Sequence, residues 1–405
     1  MRIAFISRYG SNNLGDQLIV REFEELLNSF SDNLLRFDNS LNYYNSFEEA
    51  FDTEKKSNSN SGKPSVIKEI YKKYFRKNKY IATLRNQINK RRAMNNPNLL
   101  EFEKKLQNID LLIIGGGNAI YDLEKHSDSA FYYKIIFDIV KKTNIPIFMI
   151  GVGIGPFMTL KQRDKTINVL KSVDYITVRD KKSFEAIKDL NKDTKKVFQT
   201  IDPVLFLENN QTNVINDVFG ISVMDIRLSE YSESDYSQYL NQLAHITRQL
   251  INSGFSVDLF CSETADLIAL KDLQKLLNKE ANLPGKISFY NEVSLLTLRE
   301  VYNRIDFLLG TRMHTLIIAF SQNIPFIGIN WQTKVREFSK IVELDNYVLS
   351  MEHFLKNINM SFELINKLIV NYDLIKEKNA HTKKELEKEL DINSEIIRTL
   401  INSKQ

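Results

Sequence analysis

The chain has 405 residues, more than one hydrophobic core usually serves, so two domains are expected. Hydrophobic residues make up 43% and charged residues 26%, an ordinary globular composition, and a net charge of +4 excludes a uniformly basic nucleic-acid binder. The single cysteine, Cys261, excludes an internal disulfide framework and a cysteine-rich zinc site.

The opening "MRIAFISRYG" enters a strand directly, without the charged and long apolar regions of a secretory signal. No run of about 18 apolar residues occurs, so a cytoplasmic protein without a membrane span is expected. "RIAFIS" (2–7) reads as a strand. Leu18, Ile19, Phe23, Leu26, Leu27 and Phe30 then fall at helical spacing. "NLLRFDNS" supplies a second strand, and 54–63 reads as a polar loop. Residues 55–92 hold thirteen Lys/Arg and one acid, Glu69. Within that block Ile67, Ile70, Tyr71 and Tyr74 share one helical face, and Ile81, Leu84 and Ile88 a following one.

Regular alternation resumes at "DLLIIGGG" (110–117), with a helix at 128–142. "IPIFMIGVGIGP" (145–156) reads as a strand ending in a glycine-rich turn. A helix, the strand "DYITVRD", another helix and "KKVFQTIDPVLFL" follow. The Asn-rich stretch 208–217 is a joint. Beyond it come "VFGISVM", a helix closed by Gly254, "FSVDLFCSE", a helix at 264–279, "ISFY", a helix at 294–304, "FLLG", the helix "MHTLIIAFSQ" and "PFIGIN". Uninterrupted apolar strands point to parallel sheets covered on both faces. The expected architecture is α/β: an N-terminal domain at 1–210 with a basic helical insert at 54–95, a C-terminal domain at 211–350, and helices at 351–405 packing back across both.

In such sheets ligands bind beyond the carboxyl ends of strands, and each candidate site lies at one. In "GSNNLGD" Gly15 allows close backbone approach, and Asn13 and Asp16 suit either a helix cap or a site. Gly115, Gly116 and Gly117, followed by Asn118 and Asp122, are read as an anion nest or ligand shelf. "GVGIGP" is read mainly as a wall. Arg179 in "TVRD" either grips a phosphate or carboxylate or pairs with Asp180 to cap the next helix. In "GTRMHT" (310–315), Gly310 and Thr311 lead into Arg312 and His314 at the start of a helix, where anions are favoured; the plain alternative is a core histidine. Lys334 follows the next strand. No pair with metal-ligand spacing and no Gly-x-Ser-x-Gly elbow is present.

Taken in order, "NLGD", "LLIIGGG", "IGVGIGP", "ITVRD", "IDPVLF" and "TRMHTLIIAFSQNIPFIGI" with Lys334 resemble the polysaccharide pyruvyltransferase family, over roughly 1–30 and 108–340. The family usually has Arg-Leu-His where this chain has Arg312, Met313 and His314. It often carries an Arg soon after the first strand of its second domain, which "GISVMDIR" delays to Arg227.

The resemblance implies two Rossmann-like domains similar to GT-B glycosyltransferases. It implies transfer of pyruvate from phosphoenolpyruvate to sugar hydroxyls, with no metal and no cofactor beyond that donor. His314 and Arg312 are then the catalytic pair. Arg179, Arg312, Lys334, Gly310 and Thr311 are donor-binding. Asn13, Gly15, Asp16, Gly115, Gly116, Gly117, Asn118 and Asp122 line the acceptor side or cleft, with Asp16 and Asp122 the candidates for the base. The acceptor is a sugar or lipid-linked glycan, and no nucleic acid is a partner. The basic insert at 54–95 either touches an anionic membrane surface or covers a sheet edge as a solvated helical pair. Rival readings are a nucleotide-sugar-dependent glycosyltransferase on the same scaffold and a non-catalytic binding module.

Overall fold

The computed structural model describes residues 1–9, 11–50, 79–191, 196–208, 215–229, 231–278 and 286–403. The loop read at 54–63, the face of Ile67, Ile70, Tyr71 and Tyr74, and the basic block up to residue 78 lie outside them, as does the middle of the joint at 208–217. Contacts divide the chain into two compact units. One is Met1–Ser11, Asp16–Pro203 and Lys388–Gln405; the other is Asn12–Gly15 and Val204–Glu387. The C-terminal helices therefore group with the second unit through Glu387 and with the first thereafter. No helix among the described residues is long and apolar enough to cross a membrane.

The first unit contains β1 (Arg2–Ser7), α1 (Leu14–Asn28, whose first two residues group with the second unit), β2 (Asn33–Phe37), β3 (Tyr43–Tyr44), α2 (Lys79–Met94), α3 (Asn98–Leu106), β4 (Leu111–Gly115), β5 (Asn118–Asp122), α4 (Ala130–Val140), β6 (Ile147–Phe157), α5 (Leu160–Leu170), β7 (Tyr175–Val178), α6 (Lys181–Ile187) and β8 (Val197–Gln199). Its sheet runs β3-β2-β1-β4-β6-β7-β8, with β5 beside β6, and only the β2–β3 pair is antiparallel. All five residues of β4 are buried, as the run "LLIIG" requires of a strand covered on both faces.

Two strand expectations are corrected here. β6 does not end in a glycine turn: it continues through "GVGIGP" to Phe157. Gly151 has φ +57, the register against β7 shifts between Met149 and Val152, and the Gly151 N–H donates to Thr177 Oγ1 at 2.8 Å. The glycines build a bulge instead of a stop. "NAIYD", read as part of a shelf, is the strand β5.

The second unit contains β9 (Val218–Ser222), α7 (Glu233–Asn252), β10 (Ser256–Phe260), α8 (Leu267–Leu277), β11 (Ile287–Phe289), α9 (Leu295–Tyr302), β12 (Phe307–Gly310), α10 (Met313–Ser321), β13 (Phe326–Asn330), α11 (Thr333–Ile341), β14 (Val348–Ser350), α12 (Met351–Lys356), α13 (Ile358–Val370) and most of α14 (Tyr372–Asn402). Its six strands are all parallel, in the order β11-β10-β9-β12-β13-β14. Renumbered from its own first strand, that order is 3-2-1-4-5-6, the doubly wound arrangement of dinucleotide-binding sheets. α10 is buried from His314 to Ser321, because Leu316 occupies the space that side chains on Gly310 and Gly328 would fill.

The end of α14 is fastened to the first sheet by buried polar groups. Thr177 Oγ1 donates to Asn393 Oδ1 at 2.7 Å, Asn393 Nδ2 donates to Thr200 Oγ1 at 2.9 Å, and Thr200 Oγ1 donates to the Glu389 carbonyl at 3.0 Å.

Candidate active site

Strand order locates the crevices. A doubly wound sheet reverses direction where its first and fourth strands are neighbours, and connections leaving to opposite faces open a gap at their carboxyl ends. In the second unit that point lies between β9 and β12, and Arg312 is the second residue after β12. It is the N-cap of α10, with extended backbone, and its carbonyl accepts the Thr315 N–H and hydroxyl.

The Arg312 side chain is held by carboxylates. Nε and Nη2 donate to the two oxygens of Asp266 at 2.9 and 2.8 Å, and Nη2 also meets Glu263 at 2.7 Å. Asp266 is 0% exposed, and its Oδ1 also accepts the Asp225 N–H at 2.9 Å. Burial works against the guanidinium charge, yet the hydrogen bonds and charge of Asp266, with Glu263, raise the Arg312 pKa. These bonds engage Nε and Nη2 of the guanidinium. Asp225 in turn takes a two-point grip from Arg227, at 2.9 and 2.7 Å, with that guanidinium lying 3.8 Å over the Tyr236 ring. Arg227 thus belongs to the carboxylate frame behind Arg312.

His314 is 8% exposed in the first turn of α10. Residues Asn12–Gly15, which group with this unit, pack against it: a methyl on Gly15 would overlap the imidazole. Those residues are pinned from β10's exit, since the Leu14 N–H donates to the Ser262 carbonyl at 3.1 Å and Asn13 Nδ2 donates to Glu263. Asn13 Oδ1 accepts the Gly15 N–H at 2.9 Å, the capping role its residue type suggests. Gly310 and Thr311, expected at the donor, are both buried. Thr311 is fully buried, bonded through its hydroxyl to Tyr239 at 2.9 Å and through its carbonyl to Trp331 Nε1 at 2.9 Å, and Gly310 lies under Leu316 and Thr315. Lys334 stands exposed in the first turn of α11, after β13. Cys261 is buried, which pushes its thiol up to about 12 and removes it as a nucleophile near neutrality.

In the first unit the equivalent point lies between β1 and β4. The triple glycine is there, but it is not a run of free donors. Gly115 pairs with Ile150 in the sheet, and the Gly116 N–H donates to the Ile150 carbonyl at 3.4 Å. Gly116 and Gly117 have φ +79 and +69, a conformation that favours glycine, and Gly117 lets the Arg8 side chain lie close. Arg8 Nη1 pairs with Asp16 at 3.3 Å. Asn118 abuts Gly153 across the β5–β6 pair. Asp122, offered as a base, is buried and accepts the Ser129 N–H at 3.0 Å. Arg179 pairs with Asp202 of "IDPV" at 2.7 Å, both side chains 9% exposed, and Asp180 caps α6 through Ser183. The helix-cap reading of Asp180 is right, but the carboxylate holding Arg179 is another.

The sequence profile of the polysaccharide pyruvyl transferase family matches residues 13–333, which include Arg179, Arg312 and His314 and stop one residue short of Lys334. The chain belongs to this family. As a pyruvyl transferase family member it is a transferase of polysaccharide biosynthesis. The amylovoran biosynthesis protein AmsJ of Erwinia amylovora is 21% identical over 304 residues, 70% of this chain and 71% of that protein. Anabaena Alr3699/HepE in complex with UDP and glucose is similar with a TM-score of 0.55 at 11% identity, over 98% of this chain and 100% of that one. The same protein in complex with UDP-glucose gives 0.55 at 11% identity, again over 98% and 100%. These likenesses show the fold: two Rossmann-like domains of the GT-B class.

Sequence reasoning missed the anionic partners. Glu263 and Asp266 lie in the segment between β10 and α8, and Asp202 stands inside "IDPVLF" after β8; their positions after strands were the available signal.

Proposed function

We propose that this pyruvyl transferase family member moves the pyruvyl group of phosphoenolpyruvate onto hydroxyls of a sugar in a surface polysaccharide or its lipid-linked precursor, forming a pyruvate ketal and releasing phosphate. The observation that supports it best is the pair Arg312 and His314 at the start of α10, beside the switch point of the second sheet. An enol phosphate with a carboxylate needs a fixed cation and a proton donor side by side, and this edge has both residue types.

In this reading Arg312 Nη1 and the start of α10 hold the anionic donor, with Lys334 on the same carboxyl edge. His314, kept cationic by the bound anion, gives its proton to the methylene carbon. One sugar hydroxyl bonds to C2, the C2–O bond to phosphate breaks, and a second hydroxyl closes the ketal. Of the two hydroxyl protons, one replaces the proton His314 gave and the other leaves on phosphate. In this reading the guanidinium and imidazolium supply the charge stabilisation without a metal.

The deciding experiment is thermal stabilisation by phosphoenolpyruvate against a panel of nucleoside diphosphate sugars. A shift with phosphoenolpyruvate is expected. A shift with a sugar nucleotide and none with phosphoenolpyruvate would falsify this reading in favour of a glycosyltransferase. His314→Ala should keep donor binding and lose roughly 10² to 10⁴-fold in turnover.

A further inference from the structure

Single exposed leucines are ordinary, but several large apolar side chains gathered on one stitched edge are not. In the first unit Leu123 is 57% exposed, Met158 53% and Leu160 77%, and Tyr121 is exposed beside them. Tyr121 and Leu123 stand at the end of β5, Met158 directly follows β6, and Leu160 opens α5. These segments are tied together: the Met158 N–H donates to the Asp122 carbonyl at 3.2 Å, and Gln162 Nε2 donates to the carbonyls of Glu124 and Ser127 at 2.8 and 3.0 Å.

The described part of the basic block joins the same edge. Arg85 of α2 pairs with Glu124, and Asp128 receives Lys90 of α2 at 2.6 Å and Lys165 of α5 at 2.9 Å. Leu84, also exposed, neighbours Arg85 on α2. Across 79–94, 121–128 and 156–165 there are nine Lys/Arg and four Asp/Glu. Of the acids, Glu124 and Asp128 are neutralised by these pairs and Asp122 is buried. Arg91, Arg92, Lys125 and Lys161 are exposed and have no acidic partner among the described residues. Exposed apolar side chains where β5 and β6 end, with the exposed Lys125 and Lys161 next to them in the chain, match the depth profile of a lipid leaflet: hydrocarbon inside and anionic headgroups at its surface.

We propose that residues 121–125 and 157–161, where β5 and β6 end, with α2 beside them, dock on the surface of an anionic membrane, Leu123, Met158 and Leu160 entering the headgroup boundary. This contact differs from a purely electrostatic one through the block at 54–95, and it does not depend on which donor the protein uses. It suits an acceptor carried on a lipid, because both segments lie where strands end at the carboxyl edge of the first sheet.

The test is co-sedimentation of the full chain, at low salt, with phosphatidylcholine vesicles that contain or lack phosphatidylglycerol. Binding to the anionic vesicles is expected. The triple variant Leu123→Ser, Met158→Ser, Leu160→Ser should bind on the order of tenfold more weakly, with the basic block intact and thermal melting unchanged. Absence of binding by the unaltered chain overturns the proposal. So does equal binding by the triple variant, which would assign the contact to the basic block alone. Leu160→Cys carrying an environment-sensitive dye gives an independent readout: its emission should shift blue on anionic vesicles, and an unshifted spectrum on vesicles that do bind the protein also overturns the proposal.

Discussion

Arg312 lies against the fully buried carboxylate of Asp266 through two parallel hydrogen bonds, at 2.9 and 2.8 Å. The pair fixes the plane of the guanidinium and hence the direction of Nη1. The backbone N–H of Asp225, in the loop after β9, fastens Asp266 in turn, so a main-chain group helps to set the orientation. Asp266→Asn keeps the shape but loses the charge and one acceptor oxygen. We expect kcat/KM to fall by roughly 10², the effect of a small misplacement at the reacting centre. The chain should remain folded, at a cost of about 1–3 kcal/mol. Steady-state kinetics alongside thermal melting separates the two effects, and wild-type kcat/KM in this variant would remove Asp266 from the account.

Glu263 has a different part. It meets the same Nη2 at 2.7 Å and accepts from Asn13, so one arginine faces two carboxylates. An anionic donor approaching Arg312 meets that second negative charge. Glu263→Gln should therefore tighten phosphoenolpyruvate binding, on the order of tenfold at low salt, and the gain should shrink as salt is added. Calorimetric titration at two ionic strengths checks it. Weaker or unchanged binding in the variant would show that Glu263 does not oppose the donor.

Gly15 sets the position of His314. A methyl there would overlap the imidazole, and the ring is the part that must yield, because residues 13 and 14 are pinned to the exit of β10. Gly15→Ala should lower kcat by about 10² while leaving phosphoenolpyruvate affinity within a few-fold. In the His314→Ala background the same change should add almost nothing, since the group it displaces is gone. Additive losses in that double-mutant cycle would place the damage elsewhere.

Much of this architecture is legible in the amino-acid sequence. Runs such as "LLII" and "FLLG" lack the alternation of half-exposed strands, so they announce covered parallel sheets, and the helical faces between them set the alternation. The cations Arg179 and Arg312 stand out because each closely follows a strand. Their partners do not stand out. Asp266 is 46 residues from Arg312 in the chain and Asp202 is 23 from Arg179, and only sheet order brings them together. "NAIYD" conceals a strand because β5 is held by β6 at a shifted register, a tertiary fact that local pattern does not carry. Thr311 looks like a ligand contact from its place in the motif, but its hydroxyl faces Tyr239.

Glu22, on α1, gives a pH prediction. Burial, then the charge of Glu25, with a smaller push from Asp202 against the pull of Arg21, raises its pKa to about 7. The folded chain therefore keeps this proton up to about pH 7, whereas the unfolded chain releases it near pH 4.3. Between those values the folded state binds more protons, so the stabilisation present at low pH is lost as pH rises through the folded pKa. Glu22→Gln has no proton to lose. Discounted for partial exposure, the variant should exceed the wild type in stability by on the order of 1–2 kcal/mol at about pH 8, and by little at about pH 5. Thermal melting of both proteins across that range tests the sign. A gain that is the same at both ends of the range would mean that Glu22 acts through packing and that its ionisation is not coupled to folding.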